Sequence, residues 1–175
     1  YYAATAVEFI GSLTDTILGT IVANNAFELD IQQRNAWQYQ IDHLKSLLTS
    51  LPGSFLFLEF SIPRMGKRAD AVVLNENIVF IIEYKVGSTG LDRAALDQVL
   101  DYAVDLKNFH EASHLATIVP ILIATKACEH EQLLSHWSDG VFSPILTNEK
   151  DALVSILDVV KLLQSSVRDP LPSPL

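Results

Sequence analysis

The period of apolar and polar positions changes along the chain, and the changes mark its elements. Thr5-Ala-Val-Glu8 reads as a capping box, and behind it Val7, Ile10, Ile17, Leu18, Ile21 and Val22 recur at roughly helical spacing. This predicts a helix over 5–23, interrupted by Gly11 and Gly19 and ended by Asn24-Asn25. A second helix is predicted over 31–50, with Ala36, Tyr39 or Gln40, Leu44, Leu47 and Leu48 as its stripe, before the turn Leu51-Pro52-Gly53-Ser54. From Phe55 the helical period is lost. Strands are expected over 55–62, 69–74 and 78–85, joined by Arg64-Met65-Gly66-Lys67 and by the hairpin turn Asn75-Glu76-Asn77. A loop holding Gly87 and Gly90 leads into a helix over 91–110. A strand follows over 117–125, in which Pro120 suggests an edge or a bulge. A short strand over 142–146 and a helix over 149–164, capped by Asn148, complete the pattern.

The order α-α-β-β-β-α-β-(β)-α predicts an α/β fold with a mixed central sheet flanked by helices. With 175 residues the expectation is one domain, 1–166. Residues 167–175, rich in proline, read as a tail or linker.

Composition narrows the classes. With 49% hydrophobic and 19% charged residues the chain is not disordered. Its net charge of −9 means that a nucleic-acid partner would need a local basic cluster or metal ions to overcome repulsion. A single cysteine, Cys128, excludes an internal disulfide and a cysteine zinc cage, and fits the cytoplasm. No run of about 20 apolar residues predicts a transmembrane helix, and no membrane partner is expected.

The informative stretch is Arg68-Ala-Asp70-Ala-Val-Val-Leu74 followed by Ile81-Ile-Glu83-Tyr-Lys85. Alternation along a strand puts Glu83 and Lys85 on one face. The hairpin through 75–77 returns that strand end to Asp70. Two carboxylates and an ammonium then meet at the end of an apolar sheet, where packing alone has no use for them. Neighbouring carboxylates repel, and a divalent cation removes that cost. Hard oxygen ligands suit Mg²⁺ or Mn²⁺, and the chemistry expected of such a centre is phosphodiester hydrolysis.

Asp70 and Glu83-Tyr84-Lys85 at this interval resemble the D…(D/E)xK signature of the PD-(D/E)XK nuclease superfamily. The α-β-β-β-α-β order is similar to the restriction-endonuclease-like core of that superfamily, here with an extra N-terminal helix. The resemblance implies a metal-dependent nuclease acting on DNA, with RNA not excluded. It implies a metal held by Asp70, Glu83 and the Tyr84 carbonyl, with Lys85 managing the attacking water. Gln98 and Tyr102, on the following helix, are similar to an accessory pair lining the cleft in several branches. Many members carry a further Glu on the helix before the first strand; here that helix offers Gln38 and Gln40, and Glu59 on the first strand is the candidate replacement. Ala36-Trp37, Phe57–Arg64, Lys67–Leu74, Glu83–Lys85 and Gln98–His110 together look like the N-terminal nuclease-like domain of bacterial proteins with a downstream P-loop helicase or ATPase domain.

Arg64, Lys67 and Arg68 are candidate phosphate contacts, although Arg68 has Glu59 as a rival partner. Trp37 is expected in the core rather than as a base-stacking platform. His110 and His114 are spaced to share a metal, but a structural role at a helix end is favoured. The alternative function is a nuclease-like module that binds nucleic acid or a partner without turnover.

Overall fold

The computed structural model describes residues 1–25, 30–90, 92–129 and 132–168. Its elements are β1 (Tyr2–Thr5), α1 (Ala6–Gly11), α2 (Thr14–Asn24), α3 (Ile31–Leu48), β2 (Phe55–Ser61), β3 (Arg68–Asn75), β4 (Ile78–Lys85), α4 (Arg93–Phe109), β5 (Thr117–Ala124), β6 (Ile145–Thr147) and α5 (Ala152–Arg168). Six strands form one mixed sheet in the order β1-β2-β3-β4-β5-β6. The first four are antiparallel neighbours, while β5 and β6 run parallel to β4. The α/β fold with helices flanking a mixed sheet is therefore as expected.

Two cores fill the two faces. Phe9, Ile17, Trp37, Leu44 and Leu56 pack with Phe80, Ile121 and Ile156 on one face, under α1–α3 and α5. Val72, Ile81, Val99, Tyr102, Leu106 and Leu122 pack on the other, under α4. Both faces of β4 are covered, which is why Ile78 to Tyr84 is buried without alternation.

Five local expectations change. The helix over 5–23 is two helices: the Thr5–Glu8 capping box opens α1, which ends at Gly11, and Ser12-Leu13 separates it from α2. The residues ahead of it form the added strand β1, too short and alanine-rich to show a strand period. Pro120 lies in an interior strand, between β4 and β6. Alternation puts its nitrogen on the side where the Ile118 N–H reaches Gly140. There the partner chain leaves the ladder between Val141 and Ile145, so no donor is missed. The strand expected over 142–146 is correspondingly displaced to Ile145–Thr147. The Asn148 Oδ1 accepts the Lys150 and Asp151 N–H groups as the expected cap, but α5 continues to Arg168, past the expected start of the tail. Residues 169–175 and Leu91, the first residue of the expected 91–110 helix, lie outside the described residues.

Candidate active site

The sheet register builds the site. Ala71 pairs with Ile82 and Leu58 with Ala71, so one further step along both ladders aligns Glu59, Asp70 and Glu83 in one row across β2, β3 and β4. Three carboxylates side by side repel, and each is held differently.

Glu59 sits at φ 51°, a left-handed backbone uncommon outside glycine. Its side chain is buried, with Oε1 accepting the Trp37 indole N–H at 2.6 Å and Oε2 paired with Arg68 Nε at 2.9 Å. Arg68 also donates to the Tyr1 hydroxyl at 2.6 Å and lies over that ring. Glu59 is thus committed on both oxygens to Trp37 and Arg68, and the extra ligand expected of it is not free. Among the described residues, no third Asp, Glu, His or Cys joins Asp70 and Glu83 in a metal-holding group.

Asp70 turns its Oδ2 toward the end of β4 and accepts the Tyr84 N–H at 2.8 Å, in place of a ladder carbonyl. Burial, then the Glu83 charge, push its pKa well above the ordinary carboxylate value, against the Tyr84 N–H; Glu59 adds to the rise and Lys85 opposes it. Glu83 is buried, and its Oε1 accepts the Gln98 amide at 3.0 Å. The same amide nitrogen donates to the Tyr102 hydroxyl at 2.6 Å. Burial is also the main reason that Glu83 is pushed up to about 7, with Lys85 pulling the other way. Glu83 Oε2 is buried and has no hydrogen-bond partner among the described residues. Buried polar atoms are nearly always satisfied, so this oxygen, beside a second carboxylate, is an exception among the described residues.

Lys85 shares the Glu83 face, one pleat further on, and is half-buried. Its ammonium forms no ion pair among the described residues. Gln98 and Tyr102 stand one helical turn apart on α4; Tyr102 is packed beneath Gln98, on the same side as Val99 and Leu106. Burial beside Glu83 raises the Tyr102 phenol to about 12, so it stays a neutral donor or acceptor. Asp101 is exposed, and Asp105 keeps one buried oxygen unpartnered on the same helix.

Two adjoining cavities meet at Asp70. One, of about 630 Å³, is lined by Trp37, Glu59, Lys67, Arg68, Asp70, Gln98 and Tyr102. The other, of about 1010 Å³, is lined by Gln40, Asp70, Glu83, Tyr84 and Lys85. Asp30 and Gln33, at the start of α3, line both. The sequence reading missed these two residues; their only signal was position on the helix ahead of the first paired carboxylate. Arg64 lies outside the cavities, with its guanidinium 4.0 Å from the Phe109 ring centroid. His110 bonds to Ser113 at 2.8 Å, and His114 is exposed; among the described residues neither belongs to a group of three or more possible metal ligands. Trp37 is in the core as expected.

The fold and site define an α/β domain with a carboxylate pair and a lysine at the open end of a mixed sheet. Compared with family models, curated proteins and solved structures, the chain matches none.

Proposed function

We propose that this domain is a metal-dependent nuclease of the PD-(D/E)XK type that hydrolyses phosphodiester bonds of DNA. The observation that carries the reading is the incomplete end of β4, where, among the described residues, Glu83 Oε2 is buried without a partner beside Asp70 and Lys85 forms no ion pair. Asp70, Glu83 and the Tyr84 carbonyl would hold Mg²⁺ or Mn²⁺; two carboxylates and a carbonyl are the hard donors those ions take. Bound there, the ion supplies charge neutralisation at phosphate and a more acidic water.

The chain's own residues divide the remaining work. Gln98 fixes the Glu83 carboxylate through Oε1 and is itself positioned by Tyr102. Lys85 orients the attacking water and stabilises charge developing on the phosphoryl oxygens. Lys67, lining the cavity with Asp70, and Arg64 beside it receive the nucleic-acid backbone, while Arg68, the third candidate, is held by Glu59 and Tyr1. In a longer protein the domain would serve a downstream P-loop helicase or ATPase in repair, restriction or phage defence, in the cytoplasm. Among the described residues no helix is long and apolar enough to cross a membrane.

A cleavage assay on single-stranded, double-stranded and branched DNA, with RNA included, in Mg²⁺ and in Mn²⁺, tests the proposal. Metal-dependent cutting by wild type that is lost in Lys85→Ala supports it. Equal cutting by wild type and Asp70→Asn would sink the site assignment.

One observation favours a second reading, a nuclease-like binding module. Glu59 is spent on Trp37 and Arg68, and the body of α3 presents Gln33, Trp37 and Gln40 to the cavities; its acidic residue there, Asp30, caps the helix through Gln32 N–H. DNA binding without cutting under any metal would select this reading.

A further inference from the structure

The α4 side of the sheet is covered unevenly. α4 packs on β4 and β5, while among the described residues no helix packs in the same way on the β1–β2 half of that side. Ala3 and Thr5 on β1 are exposed there, in register with Phe57 and Phe55 on β2. Regular alternation would not bring Phe57 and Phe60 to one face, since they are three residues apart. The left-handed backbone at Glu59 resets the pleat, so both rings pack on the α4 side while Leu58 faces the other core.

The result is a row of rings. Phe55 and Phe57 lie 5.2 Å apart between centroids, Phe57 and Phe60 5.4 Å, and Phe60 and His110 6.5 Å. Phe55 is 36% exposed and the next two rings are half-buried, so the row presents ring surface to solvent along β2. At its Phe60 end lie Arg64 over the exposed Phe109, then Lys67 and Arg68. Lys67 and Arg68 also line the cavity that holds Asp70. Three of the chain's 12 basic residues fall within these five positions of a chain of net charge −9, and two of them, Arg64 and Lys67, form no ion pair among the described residues, while Arg68 pairs with Glu59. The far end, at Thr5, is bounded by the exposed Glu8.

We propose that this open aromatic face is a track for single-stranded DNA, with bases resting on Phe55, Phe57 and Phe60 and the phosphates led by Arg64 and Lys67 toward Asp70. Exposed rings on a sheet recognise unpaired bases, because paired bases in a duplex keep their faces stacked on one another. Cations at one end only give the strand a direction of approach. The inference rests on the nuclease reading for where the track leads, but its test is separate.

The test is fluorescence anisotropy of a labelled single-stranded oligonucleotide and its duplex, without divalent metal, using the whole chain. Wild type is expected to bind the single strand at least about tenfold more tightly than the duplex, the scale of one stacking contact. Phe55→Ala, at an exposed position, should weaken single-strand binding about tenfold. Phe57→Leu, which keeps apolar volume but removes the ring, should do the same with unchanged circular dichroism, and Phe57→Tyr should restore binding. Equal affinity for strand and duplex, or unchanged binding in both ring-removing variants, would overturn the track. A dimer in sedimentation that Phe55→Ala dissolves would overturn it too, by making the face a self-contact. Lys85→Ala separates the two claims: lost cutting with unchanged ring variants refutes the track alone. Ring-dependent binding without metal-dependent cutting refutes the nuclease alone.

Discussion

The two faces of one strand end differ in a way that separates structure from chemistry. On one face of β4, the Tyr84 hydroxyl meets His43 Nδ1 at 2.9 Å, His43 Nε2 meets the Glu149 carbonyl at 2.8 Å, and Tyr39 donates to the Glu149 carboxylate at 2.6 Å. The imidazole is sandwiched by its bonding pattern into one tautomer, with Nε2 donating and Nδ1 accepting from Tyr84. The Tyr39, His43 and Tyr84 rings also pack against one another. On the opposite face, one residue to either side, Glu83 keeps an orphan oxygen and Lys85 has no ion-pair partner among the described residues. The first face is a finished network that ties α3, β4 and the start of α5 together. The second is left unfinished among the described residues.

Breaking the unfinished face should cost chemistry and not stability. Lys85→Ala is expected to lower cleavage by about 100-fold or more with an unchanged melting temperature, measured by single-turnover assay and thermal scan. A parallel loss of folding would make Lys85 a structural residue instead. Asp70→Asn should abolish both cutting and Mn²⁺ binding by calorimetry, while the metal-free protein melts no lower than wild type, because a repelling charge has gone. Retained Mn²⁺ affinity would exclude Asp70 as a ligand.

Breaking the finished face should do the reverse. Tyr84→Phe leaves His43 Nδ1 without its donor and should cost about 1–3 kcal/mol in urea unfolding, with Mn²⁺ affinity kept, since the Tyr84 carbonyl is untouched. A variant that loses metal but not stability would invert the comparison.

The smallest effect is that of pH. Folded Glu83 is raised to about 7 from an ordinary 4.5, and Asp70 is raised in the same direction. Between these values the native state binds more protons than the unfolded chain. The contribution to stability is therefore whole below about 4.5 and is lost as pH rises through about 7. The melting temperature of metal-free wild type, relative to Asp70→Asn, should fall across that window, and saturating Mg²⁺ should flatten the fall. A difference that rises with pH would show that the carboxylates are stabilised as ions without metal.

The site was legible where its residues are close in sequence. Asp70 and Glu83 face each other because the two-residue turn Glu76-Asn77 closes their hairpin, and Gln98 and Tyr102 share a face because they are four apart on a helix. Glu59 was legible only as a choice, ligand or partner of Arg68. Trp37 decides it, by reaching across from α3 to take the other oxygen. The His43 network carried no local sign, since its partners lie 41 and 106 residues away.

The fold divides in the same way. Periodicity and turn residues determine α3, the β2–β3–β4 meander, α4 and the cap of α5, because each rests on contacts within a few residues. β1 exists only because β2 offers it an edge, Pro120 is tolerated inside the sheet only because β6 is broken opposite it, and the Phe57–Phe60 face exists only because Glu59 is pulled out of the pleat. Each of these depends on what another segment leaves unpaired, and an unpaired group is a property of the assembled chain.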